Sequence, residues 1–416
     1  MLVPSILLCC ALLGSSLQEA PSGASSTSNP KRLVEWNYAV QLPSGQLVIS
    51  CRPAPDCPAI GASAQLVDPE TGDVLGMFAD DKVKMENAQV DPTGEALAFI
   101  AHGDLYIWPL KAGLDGGDEA VKKRRAELQV VLDLESKDDW GGQVFQWTHD
   151  GQFLVTWSDQ FFHATPTGKV QLWKRTGELM WTGPLVAQTS VHPTQNRICA
   201  VVAGKVLMGW PLDEQGELKA DGMRTVPLEV ATDTIAFSPD GKTIAVGGTS
   251  ALLPNYSNGQ PRKNAWPLLW LLDAQSGEVE LSKKVEGVET VIPGSKIYLS
   301  NVRWSPDGTM IGVSVGKGHA VGALSSKDGS VIWTGGFQGG RMHELFDTGW
   351  TDSGILLTGY GSTLLVDPRN PKKPVRLERI ARATLLNLAD TEDILVLYGL
   401  KIARLHPTTG KMLWTL

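Results

Sequence analysis

Cysteine is scarce in this chain. Of 416 residues five are cysteine, and two of them, Cys9 and Cys10, stand side by side near the start. No CxxC or CxxCH pair occurs, so structural zinc and covalently attached haem lack a ligand set. Histidine is also sparse. The seven (His102, His149, His163, His192, His319, His343 and His406) do not fall at metal-ligand spacing. Positive charge is short as well: the formal net charge is −8, and the one strong basic run, Lys122 to Arg125, sits beside acidic residues as a solvated loop. No nucleic-acid partner is expected on that balance. Walker A and Rossmann glycine patterns are missing, which removes the usual mononucleotide and dinucleotide sites. After residue 20 no apolar run approaches the roughly 18 residues of a membrane helix, so no transmembrane segment is expected beyond the N-terminus.

Glycine (44) and tryptophan (14) are plentiful, and 42% of the chain is hydrophobic. That composition suits many turns, many short strands and a sizeable core. The first residues, MLVPSILLCCALLGSSLQEA, run from an apolar stretch of about a dozen residues into small ones, the outline of a secretory signal peptide. A polar spacer, PSGASSTSNPK, follows. The Leu8–Cys9 junction lacks the small residue that a lipoprotein signal places before its cysteine. The reading is therefore a signal peptide at 1–20, a flexible spacer at 21–32 and an exported mature chain. Cys51 and Cys57, in CRPAPDC, could close a small disulfide loop in an oxidising compartment. Cys199, inside the apolar run RICAVV, reads as a buried small hydrophobe.

The stretch IAFSPDGKTIAVGG at 235–248 has relatives. AQVDPTGEALAFIA (88–101), FQWTHDGQFLVTWS (145–158) and VRWSPDGTMIGVSVG (302–316) repeat its design: an alternating run, a Pro/Asp/Gly turn and a second apolar run. The turn residues supply the positive φ of a tight hairpin. Weaker copies lie at QLPSGQLVIS, SVHPTQNRICAVV, GWTDSGILLTGY and NLADTEDILVLYG. The eight turns fall near Gly45, Gly94, Gly151, Gln195, Gly241, Gly308, Gly354 and Glu392, about 50 residues apart. Further motifs, among them VQLWKRTGELMWTG and IARLHPTTGKMLWTL, add two more strands to a unit. Four short antiparallel strands, here a to d, in such a period predict an all-β protein: a β-propeller with its blades stacked around an axis. Eight blades are favoured, with LVEWNYAV as the first strand and KMLWTL as the last. Seven, with a shared closing blade, is the alternative.

The FSPDG and WSPDG hairpins resemble the first half of WD40-like repeats, and the LHPTTGKMLW and SSKDGSVIW ends are similar to the blades of quinoprotein-type propellers. Unlike the standard WD repeat, no Gly-His opening pairs with a Trp-Asp ending. The resemblance implies that Trp181, Trp333 and Trp414, late in their blades, pack against a neighbouring blade. It covers the single propeller domain, 33–416, and implies architecture rather than activity.

Positive signs of catalysis are wanting. GVSVG at 312–316 matches a nucleophile elbow, but Ser314 falls inside a strand with no helix after it. His149, His192 and His406 read as turn residues. Paired carboxylates such as Asp80–Asp81 and Asp138–Asp139 read as solvated loop charge. The inner strands offer NYAV, VFQW, IAFS and NVRW, with Arg303 the conspicuous charge. No catalytic residue, metal or cofactor is expected. The alternative is a quinoprotein-like oxidoreductase or cofactor-binding propeller with a site in the central channel.

Propeller topology places the b–c and d–a connections on one face. Three b–c connections are long: RPAPDCPAIGA, SDQFFHATPTG and GTSALLPNYSNGQPRKNAW. They carry Phe161, Phe162, His163, Tyr256, Arg262 and Lys263, and the d–a connections add Trp140, Arg341 and His343. Aromatic and arginine side chains suit a binding hot spot. The expectation is a non-enzymatic propeller that presents this face to a protein or glycan partner. Asn255, in NYS, fits a glycosylation acceptor.

Overall fold

The computed structural model describes residues 34–53, 63–79, 85–101, 104–110, 129–133, 142–159, 168–202, 204–228, 231–250, 266–288, 299–315, 320–335, 345–351, 353–359, 363–371, 375–377, 384–388, 391, 393–398, 401–406, 409 and 411–415. They contain 32 strands and no helix long and apolar enough to cross a membrane. The region assigned to signal and spacer lies outside them.

The strands form eight four-stranded antiparallel sheets, each made of consecutive strands in sequence order. The innermost strands are Val34–Gln41, Glu86–Val90, Gly142–Trp147, Gln188–Val191, Ala231–Phe237, Leu299–Trp304, Leu345–Thr351 and Thr384–Asn387. Each lies beside the innermost strand of the next blade, and the eighth lies beside the first, which closes the ring. The fold is an eight-bladed β-propeller. Val34–Gln41 is the first strand of blade one and Lys411–Thr415 the last of blade eight, so the termini exchange no strand. The seven-blade alternative is thereby excluded.

All eight expected turns join a first to a second strand. In blade five, Ser238 Oγ donates to Asp240 Oδ1 at 2.6 Å, and the Lys242 N–H donates to the same oxygen at 3.0 Å. The Thr243 N–H donates back to Ser238 Oγ at 3.0 Å. Gly241, at φ 72°, completes the turn in a conformation that costs other residues strain. Thr148, Asp150 and Gly151 repeat this in blade three, and Ser305, Asp307 and Gly308 in blade six.

The core lies between blades. Among the described residues, buried clusters straddle the one–two, two–three, three–four, four–five, five–six, six–seven and eight–one seams. Second strands sit between two neighbours, which is why every residue of Ala96–Ala101 and Met310–Val315 is buried. Ser314 belongs to the latter and is buried, as expected of a strand residue. Cys199 is fully buried, and burial pushes its thiol pKa well up. His406, expected in a turn, is the last residue of the strand Lys401–His406, because the pairing His406↔Lys411 extends the ladder past it.

Indoles join the seams. Trp147, Trp304 and Trp350 stand at or near the end of their inner strands. They donate Nε1–H to the carbonyls of Gln89, Ala236 and Arg303 on the preceding blade, at 3.3, 3.1 and 3.0 Å. The closing seam is tied differently. Trp414 donates to Pro69 O at 2.8 Å and lies against Gly72 of blade one. Arg404 donates to Pro69 O at 2.6 Å and pairs with Asp393 at 2.7 Å and Glu70 at 2.9 Å. Trp414 thus packs against a neighbouring blade as expected. Trp181 and Trp333 pack against the three–four and six–seven clusters.

Candidate functional site

Sequential strand order puts the a–b and c–d connections at one end of every blade and the b–c and d–a connections at the other. The two ends differ in construction.

At the a–b end, the turns interlock. A Cβ on Gly94 of blade two would lie 2.9 Å from Pro43 of blade one, and one on Gly151 of blade three 2.9 Å from Asp91 of blade two. Gly241 of blade five lies against the His192 ring of blade four so closely that a Cβ would overlap it. His192 is buried, accepts the Thr194 N–H on Nδ1 at 3.1 Å and meets Phe237 edge-on at 5.0 Å. Burial holds its pKa below the ordinary imidazole value. Asp91, whose side chain is fully buried, takes Arg175 of blade three at 3.1 Å, and Asn196 of blade four donates to Asp150 of blade three at 2.8 Å. Burial alone would raise the Asp150 pKa, but bonds from Thr148, Gln152 and Asn196 outweigh it and hold the carboxyl low.

The opposite end carries the long loops. Phe161, Phe162, His163, Tyr256, Arg262, Lys263, Trp140, Arg341 and His343 all lie outside the described residues, as do Cys57 and Asn255. Cys51 lies in the second strand of blade one, paired with Trp36 and Ser63. What is described is this end of the strands. The second and third strands that carry the three long b–c loops pair in regular register. Inner strands slip register near this end, between Trp36 and Tyr38, Glu86 and Gln89, Thr232 and Thr234, Leu299 and Asn301, and Leu345 and Asp347. The extra residue bends each strand where it leaves the axis, a device common at barrel rims and binding sites. At the foot of the 251–265 loop, the Ser250 N–H donates to Trp266 O and the Trp266 N–H to Ser250 Oγ, both at 2.9 Å. The Trp266 side chain is 42% exposed, and Lys284 Nζ stands 3.0 Å above its ring. Trp266 closes the loop GTSALLPNYSNGQPRKNAW expected at this face but was not named among its binding candidates, and neither was Lys284. The place of Trp266 at the end of that loop was the available signal.

Along the inner strands, polar side chains bridge blades. Gln89 donates to Phe145 O at 2.8 Å, Gln146 accepts the Val191 N–H at 3.2 Å and Gln188 accepts the Ile235 N–H at 3.0 Å. Arg303 is exposed on the inner strand of blade six. Among the described residues, no three His, Cys, Asp or Glu side chains are placed to hold a metal ion.

No protein-family model matches the chain, and no curated protein matches it. A solved structure described as "Crystal Structure of Mitotic Checkpoint Complex" is similar over 94% of this chain and 96% of that chain, with 13% identity and a TM-score of 0.45. The fold assignment stands on the strand pairing of the eight blades themselves.

Proposed function

We propose that this protein is an exported, non-enzymatic β-propeller that captures a protein or glycan partner through its b–c and d–a loop face. The observation that carries this is the contrast between the two ends. The a–b turns of blades one to five are fastened to one another across their seams, whereas the other end carries the long, aromatic-bearing loops and is the end at which five inner strands are bulged. Loops on a rigid scaffold are where repeat proteins place recognition, because the scaffold fixes loop positions without restricting loop sequence. The partly exposed Trp266 at the foot of one loop adds an aromatic surface there. Among the described residues, Gln89, Gln146 and Gln188 of the inner strands are engaged with the backbone of the neighbouring blade.

The test is a capture experiment with the mature chain, from about residue 30, on secreted and envelope fractions and on a glycan array. Replacing 160–167 by a short Gly/Ser linker should remove binding of a captured ligand. An a–b turn substitution away from the six–seven seam, such as Ser44→Ala in blade one, should not. Loss in the second variant alone would overturn the reading.

A further inference from the structure

The a–b turns do not interlock equally at every seam. In blade six, Trp304 pairs with Ile311 across a six-residue connection, and blade five has the same length between Phe237 and Ile244. In blade seven, Trp350 pairs with Ile355, so its connection is two residues shorter. Gly354, the turn glycine of blade seven, consequently lies against its own blade at Val366 O instead of against the turn of blade six. A cleft of about 350 Å³ lies at this seam, and another of about 430 Å³ lies at the five–six seam, where both turns are full length. Met310, Trp350 and Leu365 are the buried apolar members of the six–seven cleft, and Pro306 and Pro368 also line it.

Two carboxylates line this cleft, Asp307 and Asp367. Asp367 accepts the Arg369 N–H at 2.9 Å, and Asp307 is held in a fixed pose by more bonds. Asp307 Oδ1 accepts from Ser305 Oγ at 2.6 Å, from the Thr309 N–H at 3.0 Å and from Thr309 Oγ1 at 2.8 Å. Its other oxygen, Oδ2, accepts from Arg369 Nη2 at 2.5 Å. Arg369 comes from the c–d turn of blade seven, and its side chain is 55% exposed against 47% for Asp307. The two partners are therefore unequal. The carboxylate is held by its own turn whether or not Arg369 is present, whereas the guanidinium is a long exposed side chain held in a pair that solvent weakens. A preorganised anion with a displaceable cation is a site for a cation.

We infer that the cleft between blades six and seven is a second recognition site, which takes an arginine side chain of a partner protein in place of Arg369. The incoming guanidinium pairs with Asp307 Oδ2, and its aliphatic stem lies on the apolar members of the cleft, as long cationic side chains do when only the head stays polar. The site lies at the end of the propeller opposite the loop face, so either reading can fail without the other.

The probe is N-acetyl-arginine methylamide, with the citrulline analogue as control, titrated into the full mature chain labelled with 15N-tryptophan. The Trp350 indole signal, assigned with Trp350→Phe, reports the cleft. Arg369→Ala removes the internal competitor and should tighten arginine binding by about three- to tenfold. Asp307→Asn keeps the Oδ1 acceptor of the turn but removes the charge, and should weaken binding by at least about tenfold. The citrulline analogue should bind as weakly as arginine does to Asp307→Asn. Equal or weaker arginine binding in Arg369→Ala overturns the assignment. So does equal binding of citrulline, or no titration of the Trp350 signal at all. An N-acetyl-phosphoserine probe that binds the wild type and is lost in Arg369→Ala would show that the cleft takes anions, which also contradicts it. Arg369 is exposed, so its variant remains informative even if Asp307→Asn is poorly folded.

Discussion

Replacing Arg404 by methionine should loosen the ring at its closing seam. The Arg404 side chain is 6% exposed and that of Asp393 12%, and they join by two bonds, Nε at 2.9 Å and Nη2 at 2.7 Å. Burial alone would lower the Arg404 pKa, but its bonds to Glu70 and Asp393 outweigh this and raise it. Methionine fills similar apolar volume yet leaves the Asp393 carboxylate without its cation in a nearly dry position. Breaking a buried pair from one side costs about 3–5 kcal/mol. The bond to Pro69 O is also lost, but Trp414 still donates to that carbonyl, so this adds about 1 kcal/mol or less. Glu70 is 71% exposed, and its share is on the order of 0–1 kcal/mol. For a unit of this size the main loss corresponds to roughly 4–6 °C in melting temperature. Glu70→Gln should move the midpoint by about 1 °C or less on the same scale. Arg404→Met combined with Asp393→Leu should recover most of the loss, since the orphaned charge is gone. Calorimetry on the wild type, these three variants and Asp393→Leu alone decides it. If Arg404→Met were as mild as Glu70→Gln, or the double variant as poor as the sum of its parts, the charge argument would be refuted.

Other expectations follow from the same geometry. Gly241→Ala combines a positive φ with overlap on His192, whereas Gly45→Ala, at φ 86°, has nothing within 4 Å of the new Cβ. The first should cost about 1–2 kcal/mol more than the second in urea unfolding, and equal costs would remove the His192 contact from the account. Because burial depresses the His192 pKa below its unfolded value of 6.5, the unfolded chain binds the extra proton first. The neutral ring's stabilising share is complete above that pH and lost as pH falls through its lower folded pKa. Melting temperature should therefore drop more between pH 7 and 5 in the wild type than in His192→Gln, and parallel curves would contradict this. Trp304→Phe keeps the packing but leaves Ala236 O without its indole donor, and should cost about 1 kcal/mol, read as a shifted urea midpoint at unchanged slope.

Much of this architecture could be read from the residues, because hairpin chemistry is local. The Ser/Thr–x–Asp–Gly turns carry their own hydrogen bonds, so FSPDG and THDG announce a turn whatever surrounds them, and the repeat spacing then counts the blades. What joins the blades was less visible. Trp147, Trp304 and Trp350 stood in plain view within the quoted strands, yet their function is a bond to the preceding blade, about 47 to 68 residues away in sequence. Arg404 could not be paired in advance with Pro69, on the other side of the chain. The two-residue shortening of the blade-seven turn is visible in WTDSGI against WSPDGTMI. The cleft beside it is completed by a turn in another blade, and sequence spacing does not report that. The loop residues put forward for recognition were chosen by residue type and loop length, and they test the functional reading rather than the fold.

The central claim is that recognition occurs at the b–c and d–a loop face. Hydrogen exchange of the chain from about residue 30, with and without its captured ligand, measures this most directly. The account predicts protection concentrated at 160–167, 251–266 and 336–344, with the a–b turns unchanged outside the six–seven cleft. Protection confined to the a–b turns of the interlocked seams, or to the inner strands along the axis, would contradict it.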